Sequence, residues 1–163
     1  MLYQLAYASS AAGSQTPETI ADILRVSHIN NVRDGLTGML LIANACYFQV
    51  LEGEQENVEA CTQRIERDPR HAGILVTSRG SIETRAFPEW SMGCEKLQNL
   101  PLAKLAQDQA SAAFDIASVQ DQATVARLAE NAPVLMVLMK AFFLSSGYER
   151  RNDGGLFPGA KAG

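Results

Sequence analysis

Two short apolar runs, Leu36–Ile42 and Tyr47–Leu51, are separated only by Ala43-Asn44-Ala45, after a turn signal at Asp34-Gly35. A connection that short joins antiparallel strands, because a parallel return needs a crossover of roughly a dozen residues or more. The pattern predicts a β-hairpin. Glu52-Gly53-Glu54 ends it, and its carboxylates read as a solvated start to the next helix, favoured by the helix dipole.

The flanking segments fall into place around that hairpin. Leu2–Ser9 alternates Tyr3, Leu5 and Tyr7 against Gln4, Ala6 and Ala8, a strand with one larger-residue face. Gly13-Ser14-Gln15 makes a loop, Thr16-Pro17 an N-cap with proline in the first turn, and Ile20, Ile23 and Leu24 predict a helix to about His28. After the hairpin, Val58, Cys61 and Ile65 recur at helical spacing until Asp68-Pro69 stops them. Ile74–Thr77 reads as a strand, Gly80 permits a turn, and Trp90–Cys94 reads as a last strand. The order βαββαββ predicts an α+β, ferredoxin-like fold with two helices on one face of a mixed sheet.

A chain of 163 residues and 17.6 kDa has room for one well-packed domain and a small helical appendage. After Pro101 the composition shifts to Ala, Gln and Leu, and Ser118 to Asp121 resembles a capping box opening a helix to about Asn131. Pro133 then starts a second helix through Leu144, and the glycine-rich segment 153–163 reads as a loose tail. The expected division is a domain at 1–97, a helical extension for output or oligomerisation at 98–150, and a tail at 151–163.

Several function classes are disfavoured. The 14 basic and 18 acidic residues are spread without long runs, so no nucleic-acid partner is expected. Cys46, Cys61 and Cys94 are widely separated, with no CxxC, and His28 and His71 lack an acidic cluster, so no metal is expected and the thiols read as reduced. The longest apolar stretch, Val134–Leu144, contains Lys140 and is well short of the roughly 20 residues of a spanning helix. With no basic-then-apolar leader, the expectation is a cytoplasmic protein with no membrane partner. No Ser-His-Asp, Walker or GxGxxG arrangement occurs.

Some residues carry more chemistry than a core needs. Gln49 lies between Phe48 and Val50, so its amide either faces solvent or, facing inward, must be satisfied, since an unpaired buried amide costs about 1–3 kcal/mol. Tyr7 presents the same choice. Trp90 and Met92, two apart on a strand, share a face and read as a core pair or as something more specific. Ile23 and Ile65 read as ordinary core positions, Asn31 as a residue after the first helix, and Arg64 and Arg70 as surface charges or oxygen binders.

The strings Leu5-Ala6-Tyr7-Ala8-Ser9, Asn30-Asn31, Gly35-Leu36-Thr37-Gly38, Phe48 to Gly53 and Trp90-Ser91-Met92, in this order and spacing, resemble the BLUF family of blue-light sensors. The likeness covers roughly residues 2–97. It implies FAD held noncovalently, with its ring between the two helices, flanked by Ile23 and Ile65. By the same resemblance Asn31, with Asn30 beside it, would bind the pyrimidine edge. Arg64, Arg70 and His71 would be further flavin-binding candidates, and Tyr7, Gln49, Trp90 and Met92 would form the photoactive relay, with Tyr7 and Gln49 counted among the flavin-binding residues as well. Tyr7 would yield an electron and then a proton by way of Gln49, and recombination would leave the amide rotated or tautomerised and the absorption shifted to the red.

The resemblance thus implies a photoreceptor, not an enzyme. Its output would be a rearrangement of the C-terminal helices, read by a separate signalling protein, and a homo-oligomer is expected. The helix carrying Val134, Leu135, Leu138, Met139 and Phe142 is expected to cover the second face of the sheet or to form an oligomer surface. The alternatives are a flavin-dependent oxidoreductase and a chromophore-free ferredoxin-like module for ligand binding or dimerisation.

Overall fold

The computed structural model describes residues 1–43, 45–88, 93–96, 126, 128 and 130–145. In chain order these form β1 (Leu2–Ala11), α1 (Pro17–Asp34), β2 (Thr37–Ala43), β3 (Cys46–Glu54), α2 (Gln55–Glu66), β4 (His71–Ser81), β5 (Gly93–Lys96) and α3 (Pro133–Ser145). The five strands make one sheet in the order β4-β1-β3-β2-β5, antiparallel throughout except for β2 against β5. The expected ferredoxin-like α+β arrangement is what the chain adopts.

Strand β3 lies at the centre, bonded to β1 on one side and β2 on the other. Its alternate residues therefore feed two cores. On one face Leu5, Tyr7, Leu40, Ile42, Tyr47 and Leu51 pack with Ile20 and Ile23 of α1 and Val58 and Cys61 of α2. On the other, Ala6, Met39, Leu41, Phe48 and Val50 pack with Ala86, Phe87 and with Leu135 and Met139 of α3. The apolar C-terminal helix does cover the sheet's second face, and the Phe48 ring lies 5.7 Å from that of Phe142. Val134 and Val137 point away from the sheet and are exposed. No described helix is long and apolar enough to cross a membrane.

Four boundaries differ from the sequence expectation. Helix α1 starts as predicted, with the Thr19 amide donating to Thr16 Oγ1 at 3.2 Å, but it continues past His28 to Asp34. Asn30 and Asn31 are thus inside its last turns, not after it. Gly35 stops it in the left-handed region at φ 65°, and the amides of Gly35 and Leu36 return to the Asn31 carbonyl. The Asp34-Gly35 turn signal is a helix C-cap.

The hairpin is longer than read, and Glu52-Gly53-Glu54 belongs to β3 rather than ending it. Strand β4 runs from His71 to Ser81, beyond the predicted Ile74–Thr77, so that Gly80 sits opposite Gln4 in the ladder and is no turn. As the outer strand it keeps Leu75 and Val76 exposed and needs no continuous apolar face, so its polar ends carry no strand pattern. The last strand is described over Gly93–Lys96, continuing beyond the expected end at Cys94. Trp90 and Met92, the capping box at Ser118 and the tail at 153–163 lie outside the described residues.

Candidate functional site

A cleft opens between α1 and α2. Strands β2 and β3 contribute Leu40 and Gln49 to it, α1 contributes Ile23, Asn30 and Asn31, and α2 contributes Cys61, Arg64 and Ile65. Asp68, Arg70 and His71, between α2 and the start of β4, also line it. Every flavin-binding candidate from the sequence is at this cleft except Tyr7, which stands behind it. Ile23 and Ile65 reach it from opposite helices.

Tyr7 and Gln49 are directly opposite each other in the β1–β3 ladder, and both face the helices. The Tyr7 hydroxyl donates to Gln49 Oε1, with both residues buried. The open question about these residues is settled: the amide faces inward and is satisfied by the phenol. Burial, reinforced by Cys61 and Asp68, raises the Tyr7 pKa well above the ordinary phenol value. At neutral pH Tyr7 is a protonated donor, and no phenolate competes with the hydrogen bond.

His71 packs behind this pair, its Nδ1 2.9 Å from Ser9 Oγ and its ring 4.7 Å from Tyr47 and 6.2 Å from Tyr7. Burial lowers its pKa below the usual histidine value, opposed by the nearby Asp68 carboxylate. The imidazole is therefore neutral at pH 7 and suited to hydrogen bonding. Burial likewise raises the Cys61 pKa, so the thiol in the cleft stays protonated.

Both candidate arginines are held by aspartates. Arg64 Nη2 lies 2.6 Å from Asp34 Oδ2, joining α2 to the end of α1. Arg70 grips Asp68 at 2.6 Å and Asp22 of α1 at 2.9 Å. These ion pairs link the two walls of the cleft and position two guanidinium groups along it. The hydrogen bond from Arg33, with Arg64 also contributing, lowers the Asp34 pKa to about 2 against the pull of desolvation. A carboxylate with a depressed folded-state pKa stabilises the fold above its unfolded value near 3.8, and this contribution fades as pH falls towards 2. Urea midpoints measured from pH 5 to pH 2 should fall more steeply in the wild type than in Asp34→Asn, and parallel curves would show that the ion pairs do not contribute.

One buried cluster escaped the sequence reading. Glu52, fully buried, accepts from Gln4 Nε2 at 2.7 Å and from the amides of Ala86 and Phe87 at 3.0 and 2.9 Å. Beside it Arg85 donates to the Glu52 carbonyl, to Thr37 Oγ1 and to the Gly35 carbonyl at 3.0, 2.9 and 2.8 Å. The available signal was periodic: Glu52 sits two and four residues from Val50 and Phe48, and Gln4 two from Ala6, so both share the second core face.

The cleft suits a flat, mostly apolar ring with polar edges. Isoleucines approach from either side, buried Asn31 and Gln49 carry amides that both donate and accept, and arginines border it. A family model described as sensors of blue-light using FAD, BLUF, matches residues 2–93. The chain belongs to the BLUF family. It is a blue-light sensor, and FAD is its cofactor.

Among curated relatives, the photoactivated adenylate cyclase subunit alpha of Euglena gracilis is 31% identical over 101 residues, 61% of this chain and 10% of that protein. The blue light- and temperature-regulated antirepressor BluF of Escherichia coli is 32% identical over 75 residues, 46% of this chain and 19% of that protein. This chain thus spans about a tenth of the length of the Euglena cyclase subunits it matches. Among solved structures, the BLUF protein BlrB in its dark state superposes with a TM-score of 0.58 at 34% identity, covering 66% of this chain and 80% of that one. BlsA in its photo-activated state covers 94% of this chain and 99% of its own, with a TM-score of 0.59 at 25% identity.

Proposed function

We propose that the Tyr7–Gln49 pair is the photoactive relay of this BLUF domain and that the protein's output is a change of conformation, without enzymatic turnover. Bound FAD supplies light absorption and the ability to accept an electron. Ile23 and Ile65 would hold its ring between α1 and α2, and Asn30, Asn31, Gln49 and His71 would meet its polar edges. Arg64 and Arg70 would meet a ring carbonyl or phosphate. Trp90 and Met92 belong to this reading as the residues that answer movement of the amide.

The observation that carries the proposal is the buried hydrogen bond from the Tyr7 hydroxyl to Gln49 Oε1, at the edge of the cleft. On loss of an electron a phenol becomes strongly acidic, so its proton leaves along the hydrogen bond already made. Gln49 is then protonated on oxygen and free to rotate or tautomerise. When the electron and proton return to Tyr7, the amide keeps its new arrangement. Nothing is consumed, so the signal is the arrangement itself.

The sensor in this reading spans 1–97 and the helical extension 98–150, with a tail beyond. The extension passes the signal to a separate cytoplasmic protein, and the chain acts as a homo-oligomer. Support for a transmitted signal comes from α3, whose Leu135, Met139 and Phe142 pack on the face of the sheet opposite the cleft. A ligand or light state can shift such packing only by contacting its two arrangements differently.

The test is the visible spectrum of the purified protein in darkness and after blue light. A reversible red shift is expected. Photoreduction with substrate turnover would establish an oxidoreductase instead, and a colourless protein that takes up no added FAD would leave only the fold.

A further inference from the structure

We propose that Glu52 is a positioning residue that couples the cleft to α3, by pinning the segment Arg85–Phe87 to the central strand. The inference rests on the relay reading above and extends it. Gln49 and Glu52 stand three residues apart on β3, so they project to opposite faces, about 10 Å apart along the strand. The strand is the shortest covalent route from the amide that moves to the core that contains α3.

Glu52 is equipped for this by its bonds. Both carboxylate oxygens are committed, Oε1 to Gln4 Nε2 and the Ala86 amide, Oε2 to the Phe87 amide. All three neighbours are donors, so the site accepts only a group with two acceptor oxygens. Arg85 fastens the same segment to the β3 and β2 strands and to the C-cap of α1, the helix that carries Asn31. Ala86 and Phe87 then lie in the same core as Leu135 and Met139 of α3. A displacement of β3 is thereby delivered to the surface on which α3 rests.

Glu52→Gln separates this role from simple packing. The side chain keeps its size, but its amide nitrogen must face at least one donor, so one arm of the pin is broken. Hydrogen exchange is measured on the full chain with FAD bound, in darkness and under continuous blue light, alongside the visible spectrum. The variant should keep the red shift, because Glu52 lies on the face away from the cleft. Dark exchange at the Ala86 and Phe87 amides should rise about tenfold or more, the scale of one lost hydrogen bond to a charged acceptor. The light-minus-dark difference in α3, present in the wild type, should vanish.

A retained red shift with a wild-type α3 difference would overturn the proposal and redirect the signal through the Phe48–Phe142 contact. A wild type whose spectrum shifts without any change in α3 would overturn it too. A wild type with no red shift removes the relay reading first, and this inference with it. If Glu52→Gln does not fold, Glu52→Asp keeps the charge and both acceptor oxygens but draws them back by one methylene from the Ala86 and Phe87 amides. It should lose the α3 difference with the shift intact, and persistence of that difference would equally overturn the proposal.

Discussion

Replacing Gly38 with alanine is expected to cost about 3 kcal/mol of stability, the top of the usual range for overpacking a rigid core. A Cβ at this position would lie 1.9 Å from the Val50 carbonyl oxygen, 3.0 Å from its carbon and 3.3 Å from Leu51 Cα. All three are backbone atoms of β3, which is bonded to a strand on each side and has no rotamer through which to yield. Relief requires β2 to move off β3, disturbing the Gly38–Leu51 pair and the adjoining buried Met39 and Leu40. Urea or thermal unfolding with FAD bound measures the effect, and at about 2–4 °C per kcal/mol for a chain of this size the melting temperature should drop by several degrees at least. Gly80→Ala, where an added Cβ meets nothing within 4 Å, is the control. Equal stabilities for the two variants would mean that β2 and β3 do not approach as described.

That glycine belongs to the hairpin from which the fold could be read, and the contrast with neighbouring features shows what sequence pattern carries. The hairpin, both packed helices and the apolar character of α3 were legible because apolar residues recur at the periods of strand and helix, while the choice for α3 between covering the sheet and forming an oligomer surface was not. The end of α1 was not, because Asn30 and Asn31 are weak helix formers whose place in the helix depends on tertiary burial and on a glycine cap. Strand β4 was half legible: an outer strand needs no apolar face, so its ends carry Ser78, Arg79 and Gly80 without penalty. Glu52 was misread for a related reason. A carboxylate at the end of a strand ordinarily faces water, and only its three donors, from residues 34 to 48 positions away in sequence, permit it to be buried.

The candidate site divides along the same line. Tyr7 and Gln49 could be picked out by the family resemblance and by the chemistry of a phenol and an amide set among apolar strand residues, but the face each takes was open in the sequence. Their hydrogen bond needed the β1–β3 pairing, which places them opposite each other. The arginines show the limit more sharply. Arg64 and Arg70 are at the cleft, but their partners Asp34 and Asp22 are 30 and 48 residues away in sequence, and charge pattern alone does not pair them. Tyr47 and Ser9, which pack around His71, were likewise brought there by the sheet rather than by any local motif.

Tyr7→Phe is expected to keep FAD bound and to abolish the light-induced red shift. The substitution removes one oxygen from a residue that stands behind the cleft, so the cleft residues Ile23, Ile65 and Asn31 keep their places. The amide of Gln49 loses its phenol donor, and leaving that buried oxygen without it costs about 1–3 kcal/mol, less than would unfold a domain of this size. What disappears is specific. Phenylalanine has neither the electron-rich phenol that yields an electron readily nor the hydroxyl proton that would follow it to Gln49 Oε1. Because burial raises the Tyr7 pKa, the wild-type shift should also persist from neutral pH to moderately alkaline pH, with the phenol still protonated. Flavin content by visible absorption, and difference spectra before and after blue light, read both outcomes from one sample. A Tyr7→Phe protein that binds flavin and still shifts reversibly would move the electron source to another residue, with buried Tyr47, two positions from Gln49 on the same face of β3, the next to be replaced.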